Sequence, residues 1–340
     1  MARPSFPLKM ACICLIAAVF SSTAAAAVPQ RTRRQVPLAK LRSRLAALSN
    51  FTARYRSMVV GSDSAAMKAL VAKADAQAVK RGYRGTFSSG PNKLGYRFHL
   101  RFLDGRLRVK RLISAATLKT EYAHGGAGSV GQTQLIRVWT PERSESLSYM
   151  MAGRHPNGTI SAPALPQVAL LWALGLSAPV SRHWATGKGI TPRSLTRAGK
   201  HEWLFRQRTR LAVPRMGMVA VLSIWTISTF PHLRIVKFVQ KIGRWTLVRA
   251  RCSEFRIAGG MALPGKIVVR RYLGRLGLAS TEVLYHIRYR RSPAENILAR
   301  YRIKFPVGAW VQDMRTDHTF QITKHPSYLT DHEIFMRLKH

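Results

Sequence analysis

The side chains of this sequence that could do chemistry are scattered histidines, a few acids and one late cysteine. His318, His325 and His332 stand among acidic residues, but the seven-residue gaps between them are not those of a structural zinc site. Asp313 follows a Pro-x-Gly turn, where a carboxylate is more often bonded to the turn than catalytic. Cys252 falls in a strand-like segment, which favours a buried, inert thiol over a nucleophile.

Several common motifs of catalytic and phosphate-binding sites are missing. The sequence has no G-x-S-x-G elbow, no H-E-x-x-H and no P-loop. The Gly-rich stretch Tyr122–Gln132 lacks the Lys-Ser/Thr pair of a phosphate cradle, and Ala185–Pro192 lacks the P-loop spacing. We therefore predict a protein that is not an enzyme and has no metal or cofactor.

The charge of the chain is strongly basic. Lys and Arg number 56 against 14 acids, a formal net charge of +42. Such a balance points to an anionic partner, namely an anionic membrane surface or an acidic polysaccharide, or else to basic residues on the solvated faces of strands. Both interpretations stay open. Nucleic acid is disfavoured, because no zinc-finger spacing or RNP-type motif accompanies the charge.

The N-terminus has the three parts of a secretory signal. Arg3 and Lys9 precede the apolar run Ala11–Phe20, and small residues at Ala25 and Ala27 fit a cleavage site. An anchor that stays uncleaved is the alternative. Cleavage after residue 27 would remove two of the three cysteines, so the mature chain could form no intramolecular disulfide. We predict a periplasmic or secreted protein.

Alternating residues predict an antiparallel sheet with one apolar and one basic face. In KLGYRFHLRFLDGRLRVKRLI, every second residue from Leu94 to Phe102 is apolar, and those between are mostly basic. Asp104-Gly105 is a hairpin turn, and further hairpins are predicted near Thr140–Glu142 and Lys241–Gly243. The fold class is therefore mainly β (α+β), with a few helices packed on one side.

Fewer segments have the pattern of a helix than that of a strand. Leucines at helical spacing over Leu38–Leu48 predict one, the Ala-rich stretch Ser62–Tyr83 another, and Pro163–Leu176 a short buried one. A connector rich in Pro, Gly and Arg follows, from Ser177 to about Lys200. The apolar run Met216–Phe230 is short and rich in β-branched residues, so it is predicted as a buried strand rather than a membrane span.

The C-terminal third combines several recognisable features, namely Gly260, Leu263-Pro264, the run Val283–Tyr289, Phe305-Pro306 with Gly308, and Asp313. In this order they resemble the end of periplasmic proteins of the outer-membrane lipoprotein-sorting (LolA-like) superfamily. The N-terminal LAALSNFTARYRSMVV is similar to the helix-then-strand opening of that superfamily. The resemblance implies an unclosed β-barrel, a curved antiparallel sheet with helices across its concave side. We predict one such domain over residues 28–325, with inserts near 62–83 and 163–215 and a tail over 326–340.

The resemblance also implies a function: holding an acyl chain, lipid or lipoprotein in an apolar hollow, without catalysis. Side chains on the apolar strand faces are the candidates to line it: Tyr96, Phe98, Leu100, Phe102, Trp139, Trp225, Trp245 and Tyr285. The alternative for each is an ordinary place in the core. The alternative function is a basic envelope protein that binds anionic lipid or polysaccharide through its convex face.

Overall fold

The computed structural model of the 340-residue chain defines fourteen stretches. The described residues are 43–44, 47–48, 50–62, 64–80, 93–103, 106–114, 132–150, 155–162, 168–176, 195–213, 217–258, 261–291, 301–330 and 334. The secretory signal, most of the Leu38–Leu48 helix, the Asp104-Gly105 turn and Gly260 lie outside them, as does all but the last residue of the Gly-rich stretch Tyr122–Gln132.

Strands dominate the described part of the chain. They are β1 (Asn50–Gly61), β2 (Lys93–Leu103), β3 (Arg106–Ile113), β4 (Gln132–Trp139), β5 (Ser144–Met150), β6 (Asn157–Ser161), β7 (Leu195–Arg197), β8 (Glu202–Val213), β9 (Gly217–Ser228), β10 (Arg234–Ile242), β11 (Trp245–Ala258), β12 (Met261–Tyr272), β13 (Leu278–Arg291), β14 (Lys304–Phe305), β15 (Trp310–Asp313), β16 (His318–Gln321) and β17 (Ser327–Tyr328). The helices given with bounds are α1 (Ala65–Lys80), α2 (Ala169–Leu174) and one short 3₁₀ helix, Gly274–Leu276.

Fifteen of these strands form one sheet, in the order β16-β15-β6-β5-β4-β3-β2-β1-β13-β12-β11-β10-β9-β8-β7. Neighbours are antiparallel except β6 and β15, which run parallel. The short strands β14 and β17 pair separately. The predicted fold class is confirmed: the protein is mainly β, with a large, curved, unclosed antiparallel sheet.

The two faces of the sheet differ as the alternation predicted. We call inner the face that carries the larger core, with Leu100 and Phe102 fully buried, and outer the opposite face. Across β1 and β2, Tyr55 is opposite Phe98 on the inner face, while Arg56 is opposite Arg97 on the outer face. The strands therefore bury their apolar residues on one side and present their cations on the other.

The short helix α2 packs on the inner face, as predicted for Pro163–Leu176. All six of its residues are buried, and Trp172 stacks on Phe238 of β10 with 5.6 Å between ring centroids. Gly175 ends the helix at φ 85°, a left-handed conformation that costs glycine little. The helix is buried because it has no polar face to present to water.

The alternation of inner and outer residues is interrupted in β13. Arg54 of β1 is opposite Arg288, but Arg56 is opposite Tyr285, so β13 carries one extra residue between these pairs. His286 takes φ 52° at this bulge. The extra residue turns Leu284 and Ile287 inward and places Tyr285 on the outer face.

The C-terminal segment builds a second core on the outer face of β4–β6. Its buried apolar members include Val138, Leu147, Ile160, Tyr301, Ile303, Phe305, Val311, Ile322, Leu329 and Ile334. The Phe-Pro-x-Gly motif forms the predicted turn: Gly308 has φ 83°, and its N–H donates to the carbonyl of Ile322 at 2.7 Å. Where we predicted a tail, Ser327–Tyr328 pair with β14 and Leu329 is fully buried.

The two predicted inserts differ in how they relate to the main sheet. The described side chains of α1 are exposed, so this part of the stretch near 62–83 adds little to the core. By contrast, β8 pairs with β9 along its whole length and belongs to the main sheet. Gly217–Ser228, the greater part of the apolar run Met216–Phe230, is strand β9, as predicted. Within the described residues, no helix has both the length and the apolarity needed to cross a bilayer.

Candidate functional site

A cavity of about 280 Å³ lies between the inner face of the sheet and the start of α2. Its walls come from β1–β4, β12 and β13, and its roof from α2 and the residue before it. The lining residues are Tyr55, Val59, Tyr96, Phe98, Val109, Arg111, Leu135, Arg137, Trp139, Val168, Ala169, Arg271 and Glu282. The cavity is therefore apolar over most of its wall and charged at a few points.

Aromatic rings form the floor of the cavity. Tyr55 and Phe98, cross-strand neighbours on β1 and β2, stack with their centroids 4.7 Å apart. Tyr96 meets Phe98 edge-on at 6.2 Å. The guanidinium of Arg111 lies over the Tyr96 ring, with Cζ 4.7 Å from its centroid. These contacts hold the rings in fixed orientations, because stacked and cation–π geometries are favoured over free rotation.

The charged side chains of the lining fall into two groups. On β12 and β13, Arg271 Nη1 is 2.8 Å from Glu282 Oε2, a closed ion pair. On β3 and β4 lie Arg111 and Arg137, and no ion pair joins Arg137 to an acid among the described residues. Partial burial, together with the charge of Arg111, lowers the pKa of the Arg137 guanidinium.

Tyr55 is the buried ionisable group of the floor. Burial raises the pKa of its phenol well above the usual value, and the neighbouring Glu282 raises it further. The ring is only 5% exposed, so Tyr55 stays neutral and acts as an apolar wall. It offers no base or nucleophile at physiological pH.

The eight predicted ligand-binding residues occupy different places. Tyr96, Phe98 and Trp139 line the cavity. Leu100 and Phe102 are on the same face of β2 as Tyr96 and Phe98, but they are fully buried in the larger core. Trp225 lies against α2, also fully buried. The other two are away from the cavity.

Trp245 and Tyr285 do not line the cavity, each for a different reason. Trp245 starts β11 at the turn with β10, where Arg244 lies over its ring, the Cζ atom 4.8 Å from the centroid. Tyr285 faces outward because of the β13 bulge. A role in ligand binding for the eight residues stays a prediction.

Sequence reasoning missed the polar residues of the lining. Arg111 follows Leu107 and Val109 at alternate positions, and Arg137 stands between Leu135 and Trp139 in the same way. An arginine within an apolar stripe was the signal that could have found them. Nothing in the local sequence marks Glu282 and Arg271 as lining residues, since the register of β12 and β13 decides which face of the sheet they are on.

Two of the residues first considered for chemistry, Asp313 and Cys252, are buried, and His332 lies outside the described residues. Asp313 is fully buried and accepts hydrogen bonds from the backbone N–H and the guanidinium of Arg315, in the turn after β15 rather than in the Pro-x-Gly turn to which we predicted that it would bond. Cys252 is buried, and burial raises the pKa of its thiol to about 12. Among the described residues, no three His, Cys, Asp or Glu side chains come together as metal ligands would.

A second depression, of about 580 Å³, opens among cations of β1, β2 and β13. It is lined by Arg54, Tyr55, Arg56, Arg97, Phe98, His286 and Arg288. Like charges stand directly opposite one another here, with Arg54 across from Arg288 and Arg56 across from Arg97. Such pairs destabilise a sheet unless an anion or solvent screens them.

No protein-family model matches the chain. A search of the curated proteins also finds no match. Among solved structures, a LolA superfamily protein from Nitrosomonas europaea is similar with a TM-score of 0.38 and 11% identity, covering 78% of this chain and 98% of that one. A DUF1329 family protein from Desulfovibrio piger is similar with a TM-score of 0.37 and 9% identity, covering 76% and 92%.

Proposed function

We propose that this protein is a non-catalytic, exported binding protein that holds the apolar part of a lipid or acyl chain. The observation that carries the proposal is the cavity of about 280 Å³ between α2 and the inner face. Its floor is aromatic and aliphatic, and its few polar side chains stand at defined points of the wall. This is the composition expected of a small-molecule site, in which apolar walls give affinity and a few polar groups give orientation.

The gain from burying a chain would suffice for stable binding. Each buried methylene contributes about 0.8 kcal/mol, so eight to ten of them would contribute roughly 6–8 kcal/mol before the cost of ordering. A volume of about 280 Å³ is near the lower end of the range of about 300–1,000 Å³ for ligand pockets. The cavity therefore suits one chain, and in a lipoprotein it would take one acyl group at a time.

The proposed compartment rests on the N-terminal sequence. The basic, apolar and small-residue parts of residues 1–27 are those of a secretory signal. An exported carrier would meet lipids at a membrane surface outside the cytoplasm. Periplasmic location is thus part of the proposal, and sequencing the N-terminus of the mature protein would test it.

Native mass spectrometry of the chain from Val28, expressed with export, tests whether a ligand is held. We expect an added mass that is lost on extraction with organic solvent and identified as a lipid or fatty acid. A clean apo mass, together with no uptake of the apolar dye phenylnaphthylamine, would overturn the proposal.

A cavity-filling variant locates the binding. Val59 lines the cavity, whereas Val60, the next residue of β1, is on the outer face. Val59→Trp should abolish dye uptake, because the indole occupies the space of the ligand. Val60→Trp is the matched control and should leave uptake unchanged. Equal dye uptake by both variants would mean that the dye binds outside this cavity.

The outer face supports a second candidate function, binding to an anionic lipid surface. The specific observation is the set of cations that face one another across β13, β1, β2 and β3, including Arg101 opposite Arg108. Each cation near an anionic membrane adds about 1 kcal/mol. Vesicles of phosphatidylglycerol should bind the protein at low salt and release it at high salt, and binding that ignores salt would eliminate this function.

A further inference from the structure

We propose that the depression among the cations of β1, β2 and β13 is a binding site for a compact anion that carries two phosphate groups. Its volume is about 580 Å³, and its lining includes Arg54, Arg56, Arg97, His286 and Arg288. The proposal goes beyond the lipid site of the inner face. It also goes beyond a diffuse attraction of the outer face to a charged membrane, because it assigns one ligand class to one place.

The four arginines of the lining form two opposed pairs. Arg54 of β1 is directly opposite Arg288 of β13, and Arg56 of β1 is directly opposite Arg97 of β2. Directly opposite residues have Cβ atoms about 4.5–5.5 Å apart, so each pair is placed to bind one phosphate from two sides. Arg54 and Arg56 are two residues apart on one strand, which separates the pairs by about 7 Å. The depression therefore offers two neighbouring phosphate positions.

The bulge in β13 brings part of this lining into place. Leu284 is on the inner face, so strict alternation would put Arg288 on the inner face as well. The extra residue turns Arg288 outward, opposite Arg54, and leaves His286 exposed at the depression. His286 takes φ 52° here, which is uncommon for a residue other than glycine. Bulges next to functional sites redirect side chains in this way.

The positive charge of the depression is not neutralised by acids. Strands β13, β1, β2 and β3 contain one acid, Glu282, which is buried and paired with Arg271. Among the residues that the structure describes, no ion pair joins an acid to any of the four arginines. The same field acts on His99, which is opposite Arg54: burial lowers the pKa of its imidazole, and the charges of Arg101 and Arg54 lower it further.

This arrangement favours a bisphosphate over a single phosphate. Guanidinium forks match phosphate oxygens, and a phosphate bound between two opposed arginines would remove the repulsion that destabilises the sheet there. A ligand with one phosphate would satisfy one pair and leave the other pair in repulsion. The volume of about 580 Å³ lies within the range of about 300–1,000 Å³ for small-molecule sites, so one compact ligand can reach both pairs.

Isothermal titration calorimetry of the full mature chain at physiological salt tests the proposal. The two probes are fructose 1,6-bisphosphate and fructose 6-phosphate, which share one sugar and differ in the number of phosphates. We expect one saturable site for the bisphosphate, with an affinity at least about tenfold higher than that of the monophosphate. Equal affinities, or weak binding to many sites without saturation, would mean that only net charge attracts phosphate and would overturn the proposal.

Two charge-removing variants locate the site. Arg54→Gln should weaken bisphosphate binding about tenfold. It should also raise the melting temperature of the ligand-free protein, because it removes the repulsion between Arg54 and Arg288. Arg208→Gln removes the same charge from an exposed place on β8, five strands from β13 in the sheet, and should change neither quantity. If Arg54→Gln binds the bisphosphate as the unchanged protein does, the anion binds elsewhere and the proposal is wrong.

Vesicles distinguish a lipid head group from a soluble bisphosphate. Phosphatidylcholine vesicles are compared at equal negative charge, with either cardiolipin, which has two phosphates in one head group, or phosphatidylglycerol, which has one. About tenfold tighter binding to cardiolipin, with competition by fructose 1,6-bisphosphate, would support the proposal with a lipid as the ligand. Equal binding to both vesicles, with the calorimetric preference retained, would support it with a soluble ligand.

The outcomes also separate this proposal from the second candidate function. Salt-dependent vesicle binding, with the two fructose phosphates bound alike, would overturn the proposal and leave binding to an anionic surface standing. Bisphosphate binding that depends on Arg54, with no binding to either kind of vesicle, would do the reverse.

Discussion

The indole Nε1 of Trp225 donates a 2.9 Å hydrogen bond to the carbonyl oxygen of Trp172, and so ties β9 to the helix that roofs the cavity. Both side chains are almost fully buried, and both rings pack against Phe238. The Trp172 carbonyl also accepts the backbone N–H of Gly175 at 3.1 Å, so the indole is its second donor. The tryptophan of the sheet therefore adds a bond from outside the helix, and we expect this bond to help hold α2 in place.

Trp225→Phe should lower the free energy of unfolding by about 1–3 kcal/mol, because it removes the donor and leaves unfilled volume. Urea denaturation followed by circular dichroism measures the change. Trp310→Phe is the control, since Trp310 is 47% exposed and should cost little. Equal midpoints for the two variants would show that the Trp225 bond does not hold α2.

Asp313→Asn should destabilise the second core. Arg315 donates to both carboxylate oxygens of Asp313, at 2.9 Å and 2.7 Å, and the backbone N–H of Arg315 donates as well. We expect a loss of about 1–3 kcal/mol at neutral pH. Asp317→Asn makes the same change at an exposed place in the same turn and should be nearly neutral.

The Asp313 interaction should also depend on pH. Burial alone would raise the pKa of this carboxyl, but the hydrogen bonds from Arg315 outweigh it and hold the pKa below the usual value. The folded pKa is thus below the unfolded value of about 3.9, so the stabilisation is present above about pH 4 and is lost as the pH falls through the folded pKa. The stability difference between Asp313→Asn and the unchanged protein should shrink in acid, and a constant difference would contradict this assignment.

The parts of the fold that depend on local interactions could be predicted from the sequence, and the parts that depend on distant pairings could not. Alternation and turn residues predicted the β2–β3, β4–β5 and β10–β11 hairpins, because pleat and turn chemistry act within a few residues. The β13 bulge could not be predicted, since it depends on the pairing of Arg54 and Arg56 with residues more than two hundred positions away. That single inserted residue reversed the facing of Tyr285.

The candidate site was predicted in part for the same reason. Tyr96, Phe98 and Trp139 are on the apolar faces of their own strands, so the alternating pattern of the sequence was enough to predict them as candidates. Whether a residue on such a stripe lines a cavity or fills the core depends on how α2 docks, which separates Phe98 from the fully buried Phe102. The second core was missed because its partner segments, β4–β6 and residues 301–334, are joined only by the tertiary fold.

The attachment of that C-terminal segment depends on a buried carboxylate, and Glu145→Gln tests it. Glu145 Oε2 accepts the backbone N–H of Ile303 at 2.6 Å, and Oε1 is 2.6 Å from Arg143, which also donates to the carbonyl of Leu329. Removing one charge of a buried pair costs on the order of 3 kcal/mol. The amide of Ile303 should then exchange hydrogen much faster. Glu254→Gln, in an exposed bridge to Lys266, should leave that exchange unchanged.

The thiol of Cys252 should be unreactive in the folded protein. Its side chain is on the inner face of β11, 6% exposed, and burial raises its pKa to about 12 although Arg44 acts in the opposite direction. The thiolate is the reacting form, so very little of the thiol would be reactive at pH 8 even if reagent could enter. In the chain from Val28, which contains no other cysteine, a thiol reagent should label the protein only at the rate of unfolding, and adding urea should raise the labelled fraction in step with the loss of β-structure. Rapid labelling under native conditions would mean that the inner face opens to solvent next to Cys252.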